Sequence, residues 1–228
     1  MNILAFDTTM QACSAAVLTE AGGCFSILRE IERGHAEALM PMVLEVLEQA
    51  QVTFQDIDCV AVTLGPGAFT GVRVGVATAR GLGVALDKPV YGYSSLHVMA
   101  AQAVAEACVS EFEQIVVTTD ARRGELYAQI FDPGLQAIDL PFMTTAEKLS
   151  ELILSRETLV IGSGGADLAS AIANEGGTQW IMPELLPDAA ALVRLAGSEV
   201  GRQQDISPLY LRAPDAKPQV GKHVLRAS

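Results

Sequence analysis

The sequence is poor in the side chains that build metal sites and disulfide frameworks. Its three histidines, His35, His97 and His223, are never three or four residues apart, which argues against a zinc site made by the chain itself. The four cysteines (Cys13, Cys24, Cys59, Cys108) form no Cys-x-x-Cys and sit in apolar or strand-like contexts. That is the pattern of buried, reduced thiols in a cytoplasmic protein. Long apolar runs are missing too, each being interrupted by Arg, Glu, Asp or Gln short of the roughly 20 residues of a membrane span. The opening "MNILAFDTT" carries an acid at Asp7 and no basic start, so it does not read as a signal peptide. Positive charge is the last shortage. With 15 Lys and Arg against 27 Asp and Glu the net charge is −12, which argues against a chain that grips nucleic acid unaided. The closing stretch departs from this, because from Arg212 onward Arg212, Lys217, Lys222 and Arg226 face only Asp215, a balance of +3. With two prolines and little apolar content beyond Arg212, the chain from about residue 206 is expected to be an extended, mobile tail.

What is present is an α/β pattern, given twice. Strand-like pieces at 2–7, 13–19 and 24–31, the last two separated by the turn signal "EAGG", lead into a helix at about 36–51. A strand at 58–63, the glycine-rich "LGPGAFTGVRVGVATARGLGVAL" (64–86) with its helix, a strand at 89–93 and a helix at 95–108 follow. The second half repeats this order, with strands at 114–120, 124–131 and about 136–140, then a helix at 145–155. A strand at 158–162, a helix at 165–175, a short strand at 178–182 and a helix at 188–203 close it. Each half ends its first strand on an acid, Asp7 or Asp120, and places glycines after its fourth, "GPG" at 65–67 and "GSGG" at 162–165. The pattern predicts a duplicated ribonuclease-H-like, actin-like (ASKHA) α/β fold with mixed sheets, flanking helices and a cleft between two lobes. The first lobe is expected at 1–100, joined by the C-terminal helix at about 188–205, and the second at 101–187.

The glycine-rich stretch invites a phosphate-loop reading and fails it. A Walker loop needs a second glycine where Thr70 stands, and a lysine that the segment lacks. A dinucleotide fingerprint fails as well, because its third glycine falls one place late, at Gly71, and the next strand ends in Tyr-Ser rather than an acid. A strand–turn–helix remains, with Thr70 as a candidate N-cap and an anion at the helix start as an alternative to a plain turn. Along the helix Gly71, Gly75, Ala79 and Gly83 recur every four residues, a stripe without bulk that suits close approach by another backbone, from helix 36–51 or from a partner. Arg73 and Arg80 share a different face and are candidates to pin an acidic neighbour. In helix 36–51, Leu39, Val43, Val46, Leu47 and Ala50 form one apolar face, while Met40 and Leu44 lie off it, so the helix suits either a core or a partner. Pro41 fits a first turn, or kinks a helix that starts earlier.

Catalytic patterns are thin. No Gly-x-Ser-x-Gly occurs. Asp7 and Asp120, with Thr8, Gly65 and Gly67 beside the first, are weak candidates for a nucleotide site, since strand-end acids serve magnesium and phosphate loops in kinases and ATPases of this architecture. "DARRGELY" (120–127) gathers Asp120, Arg122, Arg123 and Glu125 near one hairpin, which reads more readily as an ion network than as an active site.

The "DTT" start, the "HAEALMP" helix, "GPGAFTGVRVGVATARGL", "DARRGELY" and the closing "PLYLR" (208–212) resemble the TsaB family, also called YeaZ, over residues 1–212. The resemblance implies an actin-like, non-catalytic scaffold that dimerises with the catalytic sister TsaD through first-lobe helices. TsaD transfers a threonylcarbamoyl group to adenosine 37 of tRNA, with the ATPase TsaE assisting (t6A modification). The implied pairing surface comprises His35, Leu39, Met40, Val43, Leu47, Gly71, Arg73, Gly75, Ala79 and Arg80. Homodimerisation through the same surface is an alternative, tRNA is met mainly through the complex, and no cofactor, metal or membrane is implied. The sister's His-x-x-x-His metal motif aligns with Ser95 and Met99 here, neither of which replaces a histidine ligand in that pair, and His97 lies between them out of register. The competing readings are a nucleotide hydrolase or kinase using Asp7 and Asp120, and a metallopeptidase.

Overall fold

The computed structural model describes residues 1–106, 111–153, 157–171, 178–198 and 202–212. Two five-stranded mixed sheets organise it. The first holds β1 (Ile3–Asp7), β2 (Ala12–Leu18), β3 (Cys24–Glu30), β4 (Cys59–Thr63) and β5 (Val90–Tyr93) in the order β3-β2-β1-β4-β5. The second holds β6 (Gln114–Arg122), β7 (Glu125–Phe131), β8 (Phe142–Thr144), β9 (Thr158–Ile161) and β10 (Thr178–Ile181) in the order β8-β7-β6-β9-β10. In each, the first strand runs antiparallel to the second and parallel to the fourth. The two sheets therefore share one topology, as the doubled pattern predicts. The third strand of the second half lies at 142–144 rather than 136–140, where only a bridge between Phe131 and Ala137 forms. Ile138 and Leu140 there are exposed, so their apolar character marks no buried strand.

The helices are α1 (His35–Ala50), α2 (Phe69–Leu86), α3 (Ser95–Glu106), α4 (Ala146–Ile153), α5 (Gly165–Ala171) and α6 (Ala189–Ser198). Strand alternation sorts the core into layers, because successive side chains leave a strand on opposite faces. Leu4 and Phe6 of β1, with Val60 and Val62 of β4, meet α1 and α2; Ile3, Ala5 and Ala61 meet α6 on the other face. In the second sheet Val116 and Val160 meet α4 and α5, while Ile115, Val117, Leu159 and Ile161 meet α3. Helices α3 and α6 are thus exchanged: α3 follows the first sheet and packs on the second, and α6 does the reverse. The expected lobe boundary at 100/101 falls inside α3, a continuous helix.

Local chemistry explains most of the element ends. Helix α1 starts after Gly34 at φ +89, and α2 stops at Asp87 in the left-handed region at φ +53. Pro41 lies one turn further into α1 than a first-turn proline would, on the exposed side. Thr70 is not the cap of α2: the helix begins at Phe69 after Ala68, and no side chain caps it. The residues expected to form an extended, mobile tail divide. Ile206 and Leu209 pack half-buried against the α1/α2 core, because apolar side chains in that stretch find an uncovered edge; residues 213–228 lie outside the described residues.

Candidate functional site

The turn between β1 and β2 and the start of α2 form one tightly packed unit. A Cβ added to Gly67 would stand 2.2 Å from the Thr9 carbonyl oxygen, and one on Gly71 would stand 2.0 Å from that of Thr8. Bonds lock the contact: Ala68 N–H donates to Thr9 O at 2.7 Å, and Thr8 Oγ1 donates to Gly71 O at 2.7 Å. Gly75 continues it, 2.7 Å from Thr8 Oγ1 by the same measure, and Gly83 stands 2.4 Å from a methyl of Val90. The small-residue stripe of α2 is real, and its opposite number is the chain's own β1–β2 turn and β5.

Six of the ten residues expected at the pairing surface lie inside the chain's own core. Leu39, Val43 and Leu47 of α1, and Gly71, Gly75 and Ala79 of α2, are buried in the chain's own core. They lie beneath the surface because their faces are the ones that cover the sheet. His35 and Met40 are half-buried, and Arg73 and Arg80 are exposed. His35 Nε2 lies 2.9 Å from the Met10 carbonyl oxygen. Arg73 pins no acid: its guanidinium stacks 3.6 Å from the centre of the Phe69 ring, and its Nε donates to Tyr210 Oη at 2.7 Å. The outer surface of α1 and α2 exposes Leu44 (55 %) and Val84 (85 %), and the second of these sequence reasoning missed. Its signal was the apolar excess beyond one core stripe, which picked out Leu44 but not Val84.

The two strand-end acids have opposite surroundings. Asp7 is fully buried and accepts bonds from Thr9 N–H (3.1 Å), Thr9 Oγ1 (2.7 Å) and Thr63 Oγ1. Burial pushes its carboxyl up to about 6, against the lowering pull of Thr63 and Thr9. Asp120 is exposed and accepts from Arg122 N–H at 2.6 Å across a bulge in β6. Each acid is satisfied by its own neighbours. Gly65, at φ +101, is buried beneath Leu209, whose N–H donates to Leu64 O at 2.7 Å. At the hairpin Glu125 pairs with Arg212, a residue that sequence reasoning assigned to the tail, at 2.5 Å.

The family described as "TsaD: tRNA N6-adenosine threonylcarbamoyltransferase" matches residues 15–191. The tRNA threonylcarbamoyladenosine biosynthesis protein TsaB of Haemophilus influenzae is 32% identical over 230 residues, covering 93% of this chain and 94% of that protein. The chain belongs to the TsaB family. Escherichia coli TsaB is 35% identical over 170 residues, 72% of each chain. The solved structure of YeaZ from Pseudomonas aeruginosa superposes with a TM-score of 0.80 at 30% identity, over 92% of this chain and 99% of that one. The fold is the duplicated α/β one that the sequence predicts, with two mixed sheets of one topology and flanking helices. In this TsaB-family chain Ser95 Oγ donates to Pro66 O at 2.6 Å, and Met99 is buried on the second sheet. His97 is buried against the Phe131 ring, centroids 4.8 Å apart, and burial lowers its pKa to about 4. Cys13 and Cys59 are buried, and burial pushes the Cys13 thiol up to about 12; Cys108 lies outside the described residues. No helix among the described residues is long and apolar enough to cross a membrane.

Proposed function

We propose that this TsaB-family chain serves tRNA threonylcarbamoyladenosine biosynthesis as a non-catalytic scaffold that pairs with TsaD. The observation that carries the non-catalytic reading is Asp7. A carboxylate that is to hold a magnesium ion or a nucleotide must face the ligand, and this one is buried with both oxygens accepting bonds from Thr9 and Thr63. A burial-raised carboxyl is often a functional signal, but here no substrate can reach it.

The pairing surface is the outer side of α1 and α2, with Leu44 and Val84 as exposed apolar contacts, Met40 half-buried beside them, and Arg73 and Arg80 as polar ones. The end of α2 adds a shallow groove of about 680 Å³ lined by Arg80, Val84, Lys88 and Ile206. A second copy of the chain is the competing occupant when TsaD is absent, TsaE joins through the complex, and tRNA is met mainly through the complex because this chain is acidic.

Leu44→Glu tests the reading. Leu44 is 55 % exposed, so the variant keeps the fold, while a buried unpaired charge at an interface costs several kcal/mol. Co-purification with TsaD at moderate salt is expected to be lost with the melting temperature unchanged. Undiminished affinity removes this surface, and calorimetric binding of ATP with magnesium by the isolated chain removes the non-catalytic reading.

A further inference from the structure

The described segment 202–212 is bonded along the first lobe and then crosses to the second. Gln203 and Gly92 exchange backbone hydrogen bonds at 2.9 and 3.0 Å, which lengthens the first sheet at its β5 edge. Leu209 bonds Leu64 at 2.7 Å and lies over Gly65, where an added Cβ would come within 3.2 Å of its carbonyl oxygen. The Tyr210 ring stacks on Phe69 with centroids 5.5 Å apart and accepts the Arg73 bond. Two residues later Arg212 Nη2 donates to the carbonyls of Ala121 and Arg122, at 2.9 and 3.2 Å, and to Glu125.

The target of Arg212 is a strained place. Arg122 and Arg123 stand at φ +65 and +61, a region that costs an ordinary side chain free energy and is usually left to glycine or asparagine. The charge-assisted bonds of Arg212 hold the carbonyls at the base of that turn. A ligand that touches both lobes of a two-lobed protein favours the arrangement in which both contacts are made. A segment already tied to one lobe does the same at the high effective concentration of an intramolecular contact.

We propose that residues 203–212 are an interlobe clasp, which fixes the separation of the two lobes without any bound ligand, with Arg212 as its catch on the β6–β7 hairpin. The clasp does mechanically what a cleft ligand does by binding. It goes beyond the pairing role, which concerns the outer side of α1 and α2, and the two fail separately.

Pulsed electron resonance between spin labels reads the separation directly. Labels go on exposed Gln49 in α1 and exposed Glu151 in α4, in a full-length chain whose Cys24 and Cys108 are replaced by serine. The parent is expected to give one narrow distance distribution. Arg212→Ala is expected to widen it at least twofold, and Arg212→Lys to fall between, because lysine keeps the charge but its shorter side chain does not bring the ammonium to the position of Nη2. Arg29→Ala, which breaks an exposed pair with Glu45 inside the first lobe (2.7 Å), is the control and leaves the width unchanged. Circular dichroism confirms that each variant is folded. An unchanged width in Arg212→Ala overturns the proposal, as does equal widening in the Arg29→Ala control.

Discussion

At the scale of single residues, two buried titratable groups pull stability in opposite directions with pH. Asp7 titrates near 6 in the fold against 3.8 ordinarily. Below about pH 4 both states hold the proton and Asp7 costs nothing. As pH rises towards 6 the unfolded chain releases its proton first, and the native state loses about 3 kcal/mol. His97 titrates near 4 against 6.5. Above 6.5 both states are neutral; as pH falls to 4 the unfolded chain takes up the proton first, and about 3 kcal/mol is lost in the acid direction. The two effects nearly cancel between pH 4 and 6.5. Asp7→Asn is therefore expected to be more stable by about 1–3 kcal/mol at pH 8 and to show the acid loss due to His97. His97→Gln is expected to gain stability as pH falls through the same window. Urea unfolding midpoints at pH 4.5, 6 and 8 read both slopes, and parallel curves for the three proteins would contradict the assignment.

At the scale of elements, α2 shows how far a pattern read along the chain can go. The four-residue recurrence of Gly71, Gly75, Ala79 and Gly83 correctly marked a close-packed face, and nothing in it said what lay opposite. Gly71→Ala is expected to cost at least 3 kcal/mol or to prevent folding, since its Cβ would meet the Thr8 carbonyl oxygen at 2.0 Å. Gly81→Ala, on the same helix with open space at the Cβ position, is expected to gain about 0.5–1 kcal/mol. Thermal melts of the two variants separate the inner and outer faces of one helix. Gly75 belongs with Gly71: its added Cβ would stand 2.7 Å from Thr8 Oγ1, so a bulky residue there damages the fold before it touches any partner. The strands were more legible than the helix contacts. In β1 and β4 an unbroken apolar run means burial on both faces, and β1 and β4 are central strands with helices above and below. Segment 136–140 misled because isoleucine and leucine at 138 and 140 alternate as a strand does while standing in solvent.

At the scale of the whole molecule, the exchange of α3 and α6 ties the two sheets into one folding unit. Without α6 the face of the first sheet formed by Ile3, Ala5, Ala16 and Ala61 is bare. The full chain is expected to unfold in urea as one transition, with circular dichroism and tyrosine fluorescence coincident. A piece ending before residue 188 is expected to be aggregated or molten. Two separate transitions would show that the lobes fold independently.

The sequence by itself determined the α/β class, the doubled strand and helix order, the apolar face of α1 and the existence of a close-packed face on α2. Those features are periodic, and a period of two or near four is complete within a few residues. Only the tertiary structure decided what each face meets. It sealed Asp7 between Thr9 and Thr63, turned the glycine stripe inward onto Thr8, and carried Arg212 to Glu125, 87 residues away in the chain. Such contacts depend on how whole strands are ordered in a sheet, which no local pattern encodes.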